Sequence, residues 1–165
     1  MLKIRGFAVG LLIVALAGVA GAQKKAESPA ELADEAAIRD YVLTMPKIEA
    51  FAAAQKEYSG GKADAAVAAE GKRLEADEKS SMLEKVKMIE TTCPHLNAWI
   101  RQHGMTPREF MLTPMTLMTV GIAEYAKQKG GKLPDFISEA NLQFYEQHKA
   151  DLEKLGLGSG GGDSE

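Results

Sequence analysis

One uninterrupted run of fourteen uncharged residues, from Phe110 to Ala123, constrains the fold of this chain more than any other stretch. Charged residues make up 26% of the sequence, so a run of this length indicates a buried segment. It is shorter than the roughly 20 apolar residues that cross a bilayer, which favours a helix enclosed by protein. Thr106, Pro107 and Glu109 precede it with a capping residue, a first-turn proline and the carboxylate of a capping box. The sequence therefore predicts a buried central helix near 107–129.

This central helix is predicted to be covered by protein on every side. At 100° per residue, one of its faces is apolar and the opposite face carries only neutral side chains. The first face holds Met111, Met115, Met118, Ile122 and Tyr125, and the second holds Thr113, Thr116, Val120 and Ala123. A helix without charge on either face is normally enclosed. Pro114 lies inside it and removes one backbone hydrogen bond, so we expect a kink that the hydroxyls of Thr113 and Thr116 relieve.

Capping signals, prolines and glycines predict the other helices. Ser28 with Glu31 and Ser81 with Glu84 repeat the capping box, and Gly104 follows a short amphipathic segment as a helix stop. The predicted helices span about 29–42, 46–59, 94–103 and 139–155, with one or two more between 62 and 89. No alternating strand pattern of useful length accompanies them. We therefore predict an all-α domain at 28–155, an irregular bundle of five to seven helices around the central one.

The first 22 residues have the three-part layout of a secretory signal peptide. Lys3 and Arg5 precede a short apolar run, and small residues before Gln23 form a cleavage site. We expect cleavage after Ala22 and a periplasmic or secreted product, with an uncleaved anchor as the alternative. Residues 23–27 are predicted to be a polar leader, and residues 156–165, rich in glycine, serine and acid, a disordered tail.

Charge and cysteine content limit the partners that we expect for this chain. It has 20 basic and 23 acidic residues, and cleavage would remove Lys3 and Arg5 without removing an acid. A mildly acidic surface gives no electrostatic reason to bind nucleic acid or anionic lipid. Cys93 is the only cysteine, so no disulfide can form within the chain. We expect a small buried thiol beside a helix start, although an exposed Cys93 could link two chains as a homodimer.

Sulfur and imidazole side chains in and before the central helix raise the question of a copper(I) site. Thioether, imidazole and thiolate groups are the ligands that suit copper(I) in an exported protein. The candidate ligands are Cys93, His95, His103, Met111, Met115 and Met118. Methionine at helical spacing is also an ordinary filler of irregular core space, and we favour that interpretation. The sequence thus predicts no metal or cofactor, with copper or soft-metal handling as the alternative function.

Three residues of the last helix, Asn141, Tyr145 and His148, fall on its predicted inward arc. A buried imidazole that bonds a tyrosine or a backbone carbonyl explains them, and a polar pocket near the bundle centre is the alternative. Cys93 and His95 do not suggest a nucleophile with its base, because residues two apart on a helix point to different sides. With no catalytic constellation found, we predict a non-enzymatic binding or interaction domain for a protein partner or a small apolar ligand.

Three short stretches resemble a set of exported, all-helical bacterial proteins of similar size for which no activity is established. They are Tyr41 to Met45, Gly104 to Phe110, and the set Asn141, Phe144, His148 and Lys149 in the last predicted helix. The resemblance implies an exported, all-helical bacterial protein. It carries no catalytic residue, cofactor or partner over to this chain.

Overall fold

The computed structural model describes residues 28–131 and 136–157. Within these ranges the chain forms seven α-helices and no strand, which confirms the predicted all-α fold. The helices are α1 (Pro29–Asp40), α2 (Met45–Ser59), α3 (Ala65–Ala76), α4 (Met82–Thr92), α5 (Pro94–Gln102), α6 (Pro107–Gln128) and α7 (Glu139–Lys154). None of the seven is long and apolar enough to span a bilayer. The predicted signal peptide and polar leader, and the tail from residue 158, lie outside the described residues.

Local capping chemistry sets the starts of three of these helices, as predicted. Ser28, Ser81 and Thr106 each accept a hydrogen bond from the backbone N–H three residues later, and the glutamate at that position accepts one in return. The segment 62–89 contains two helices, because the Asp77 carboxylate accepts the backbone N–H groups of Lys79 and Ser80 and forms a turn between α3 and α4.

α6 is the centre of the bundle, as predicted, and packs against α1, α2, α4, α5 and α7. Its buried face carries Leu112, Thr113, Thr116, Leu117, Val120 and Ala123. Three hydrophobic clusters surround it. One lies around Trp99 beneath α2, α3 and α4, one around Tyr145 between α2, α6 and α7, and one around Ala37 between α1, α4 and α6.

The prediction that α6 is covered on every side is wrong. Its threonine and valine face is buried, whereas Ile122 and Tyr125 on the predicted apolar face are exposed. Met111, Met115 and Met118 are only partly buried. The physical reason is that an apolar residue need not be buried, because apolar atoms make up a large part of every protein surface. The five helices that pack on α6 cover its threonine and valine side and leave Ile122 and Tyr125 exposed.

Pro114 lies inside α6, but the hydroxyls expected to compensate for it do not do so. The Thr113 hydroxyl shares a hydrogen bond of 2.8 Å with the Tyr41 hydroxyl. The Thr116 hydroxyl is buried without a partner among the described residues. The hydroxyl that bonds the helix backbone belongs to Thr119, which donates to the carbonyl of Met115 at 2.7 Å.

The folded part of the chain continues two residues beyond its predicted end at 155. Leu157 is partly buried and packs against the clusters around Trp99 and Tyr145. The first helix, α1, is shorter than predicted: it ends at Asp40 rather than near residue 42, and the backbone of Tyr41 is extended. Asn141 of α7 bonds the backbone of Tyr41 and Leu43, so a tertiary contact holds this connection out of the helix.

Candidate functional site

The C-terminal half of α6 carries an uncovered apolar strip formed by Met118, Ile122 and Tyr125, called the α6 strip below. Spacings of four and three residues place these side chains on one line along the helix. Ile122 is 47% exposed and Tyr125 is 62% exposed, while Met118 is half-buried. The Lys129 ammonium lies 5.7 Å from the centre of the Tyr125 ring, so the strip ends at a cation.

The neighbouring helices explain why this strip stays uncovered. Helices α1 and α4 pack against the N-terminal half of α6, where Met111 and Met115 join the cluster around Ala37. Leu117 faces the cluster that α6 shares with α2 and α7. Among the residues that the structure describes, the three clusters include no member of the α6 strip.

The residues of the predicted polar pocket do not share one environment. Asn141 is 2% exposed, accepts the N–H of Leu43 at 3.0 Å and donates to the carbonyl of Tyr41 at 2.6 Å. Tyr145 is buried in the cluster between α2, α6 and α7. The expectation of a buried imidazole at His148 is wrong, because this side chain is 33% exposed and stacks on Phe144. Asn141 therefore ties α7 to the α1–α2 connection, while His148 lies at the surface.

Two shallow depressions adjoin each other between α2 and the end of α7, with volumes of about 440 and 330 Å³. They share Glu49, Lys154 and Leu155, and His148 lines the smaller one. Lys154 donates to the Asp151 carboxylate at 2.8 Å, and this contact holds the pKa of Asp151 below its usual value. Lys154 and Asp151 therefore pair with each other, and both depressions are open to solvent.

The candidate metal ligands do not converge as one set, although Cys93 and Met111 both belong to the cluster around Trp99. Cys93 is fully buried, with an Arg73 guanidinium nitrogen 3.1 Å from its sulfur. His95 is exposed, and both ring nitrogens of His103 face oxygen acceptors. Met111 and Met115 pack into apolar clusters, and Met118 belongs to the α6 strip.

These positions bear on the metal and homodimer hypotheses. Within the described ranges, no group of three or more histidine, cysteine, aspartate or glutamate side chains could hold a metal ion. Copper handling stays a prediction. Because Cys93 is buried, it does not present the surface thiol that a disulfide-linked homodimer would use.

A hydrogen-bonded cluster of Glu57, Trp99 and His103 was not predicted from the sequence. The Trp99 indole N–H donates to one Glu57 carboxylate oxygen at 3.2 Å, and His103 Nε2 lies 3.2 Å from the other. The hydrogen bond from Trp99 and, to a smaller extent, the one from His103 hold the pKa of Glu57 below its usual value. A histidine at the C-terminal end of a helix, such as His103, is ordinarily accounted for by the helix dipole. No local signal pairs it with a residue that lies 46 positions earlier.

Comparison of the chain with protein-family models, with curated proteins and with solved structures gives no match. The resemblance to exported helical bacterial proteins therefore stays a prediction.

Proposed function

We propose that this protein is an exported, non-enzymatic helical domain that binds a protein partner through the α6 strip. The observation that carries the proposal is the exposure of Ile122 and Tyr125 on the helix around which the bundle packs. Methionine and tyrosine are enriched at protein interfaces, and a tyrosine with one exposed face often contributes a large share of binding energy.

The shape of the strip favours a protein partner over a small apolar ligand. Met118, Ile122 and Tyr125 lie along one helix, and none of them lines either of the two depressions described above. A small apolar ligand needs a concave pocket that buries most of its surface. A line of side chains at helical spacing instead fits an apolar groove or helix face of another protein. The cation at Lys129 favours an acid on the partner beside the contact with Tyr125.

Export is the second part of the proposal, and its support is the sequence of residues 1–22. The described domain begins at Ser28, after the predicted cleavage site. Removal of residues 1–22 would therefore delete none of the contacts described above.

Site-specific photocrosslinking tests the proposed binding surface. A photoreactive phenylalanine analogue is placed at position 122 or, as a matched control, at position 32, where Leu32 is also exposed. In the native host we expect one adduct of defined mass from position 122 and none from position 32. With the captured partner purified, Tyr125→Ser should weaken binding about tenfold or more, as expected for truncation of an interface tyrosine.

Two results would contradict the proposal. One is the absence of any adduct from position 122, and the other is an equal pattern of adducts from positions 122 and 32. Circular dichroism of each variant checks that the helical fold is retained, so that lost binding is not lost folding.

A further inference from the structure

His103 is held between two hydrogen-bond acceptors at the end of α5. Its Nδ1 lies 2.9 Å from the carbonyl oxygen of Trp99, and its Nε2 lies 3.2 Å from a Glu57 carboxylate oxygen. A backbone carbonyl and an ionised carboxylate can only accept hydrogen bonds. His103 therefore satisfies both contacts only as an imidazolium, with a proton on each ring nitrogen.

The Glu57 side chain is suited to this arrangement. Its other carboxylate oxygen accepts the indole N–H of Trp99 at 3.2 Å. Hydrogen bonds from Trp99 and His103 keep the pKa of Glu57 below its usual value, which is already acidic. Glu57 is therefore an anion throughout the range in which imidazole groups gain and lose their proton.

We propose that Glu57, Trp99 and His103 form a proton-dependent link between α2 and α5. With the imidazole protonated, both hydrogen bonds of His103 are made and the C-terminal end of α2 is held to the end of α5. A neutral imidazole carries a single N–H, so one of the two hydrogen bonds is then lost, and so is the charge that attracts the Glu57 carboxylate. The link is therefore stronger when the imidazole is protonated, and it weakens as the pH rises.

Few other ionisable groups face this link. Tyr58 of α2 contacts the Trp99 ring edge-on, and burial raises its pKa, so it stays neutral in this range. Lys62 acts electrostatically on Glu57 from beyond the end of α2. Glu70 of α3 lies at the opposite end of α5, where it accepts the N–H of Leu96. From α6, the group that contacts Trp99 is the ring of Phe110.

The position of the link connects it to the central helix. Residues 103–106 join α5 directly to α6, and Met105 in this connection is buried in the cluster around Trp99. The link therefore lies directly beside the connection that leads into α6. In an exported protein the trigger is the pH of the surroundings, which is the only part of this inference that rests on the proposed export.

Fluorescence of Trp99 tests the link, because Trp99 is the only tryptophan. The indole and imidazole ring centres are 4.5 Å apart, and a protonated imidazole at that distance quenches indole emission. Emission of the full chain is recorded between pH 5 and pH 8. We expect it to rise with pH through a one-proton transition, and to lose that transition in His103→Gln. In Glu57→Gln the midpoint should move to lower pH, because the amide no longer favours the imidazolium.

Exposed His95 at the start of α5 provides the matched control, and His95→Gln should leave the transition unchanged. The proposal would be overturned if the emission intensity of Trp99 did not change between pH 5 and pH 8. It would also be overturned by a transition that persists in His103→Gln, or by a midpoint that Glu57→Gln does not move. If His103→Gln fails to fold, the Glu57→Gln midpoint alone decides the question.

Discussion

At the scale of single residues, the packing of the Tyr58 side chain from α2 against α3 depends on the absence of a side chain at Gly71. Gly71 is buried within α3, and a Cβ atom built there would overlap the hydroxyl oxygen of Tyr58 and lie 3.1 Å from its Cζ atom. Glycine in a helix interior costs about 1 kcal/mol relative to alanine. The packing of Tyr58 against the helix is therefore gained at the expense of local helix stability.

Gly71→Ala should lower the free energy of unfolding by about 1–2 kcal/mol, because overpacking against Tyr58 outweighs the better helix propensity of alanine. In a Tyr58→Phe background the overlapping hydroxyl is gone, so the same change should be neutral or stabilise by up to about 1 kcal/mol. Urea denaturation of the four proteins of this double-mutant cycle measures the difference. Equal effects of Gly71→Ala in both backgrounds would show that the hydroxyl does not set the cost.

At the scale of helices, carboxylates from one helix cap the N-terminus of another. Both Asp34 oxygens accept N–H groups of α4, from Met82 at 2.7 Å and from Leu83 at 3.0 Å. Glu70 of α3 accepts the N–H of Leu96 at 2.7 Å, and the N-cap residue of α5, Cys93, forms no side-chain capping bond. Each of these carboxylates also faces the positive end of the helix dipole. They fix how α1 meets α4 and how α3 meets α5.

Asp34→Ala should destabilise the protein by about 1–2 kcal/mol, since it leaves two N–H groups at the start of α4 without their acceptor. Asp40→Ala is the matched control, because this exposed carboxylate at the end of the same helix pairs, within the described part of the chain, only with Arg39. The control should change stability little, as expected for a surface ion pair. Thermal unfolding followed by circular dichroism compares the two. Similar losses for both variants would argue against a capping role for Asp34.

At the scale of the whole molecule, the bundle is asymmetric: α6 is enclosed on one side and open along the α6 strip on the other. The stability of the fold comes from packing, because the single cysteine is buried and can form no disulfide within the chain. The fold should therefore be insensitive to reductant.

Processing of the chain in its native host gives the prediction at this scale. We expect an exported product that begins at Gln23, because the small residues before it form the cleavage site. Intact-protein mass spectrometry of the periplasmic and secreted fractions measures the start of the chain. Ala22→Asp should block cleavage, whereas Lys25→Ala, beyond the site, should not. Recovery of the unprocessed chain alone from the wild type would count against a cleaved signal.

Patterns within three or four residues predicted most of the helix boundaries. The capping boxes at Ser28, Ser81 and Thr106 and the left-handed Gly104 are local, so sequence alone identifies them. The same reasoning placed Asn141 and Tyr145 inside, and both are buried. It misplaced His148, because an apolar arc on a helix wheel does not say how far the neighbouring helices extend over it.

The sequence by itself determined that the described part of the chain is all-helical, where the three helices with capping boxes begin, and that α6 is the helix on which the others pack. Tertiary structure decided which face of α6 is enclosed, and it brought Glu57 to His103 and Asp34 to the start of α4. The physical reason is range. Caps and helix periodicity act within one turn of the chain, while burial and contacts across tens of residues depend on how whole helices pack. The fourteen uncharged residues predicted a central helix, and only its neighbours determined that the α6 strip would be the open part of it.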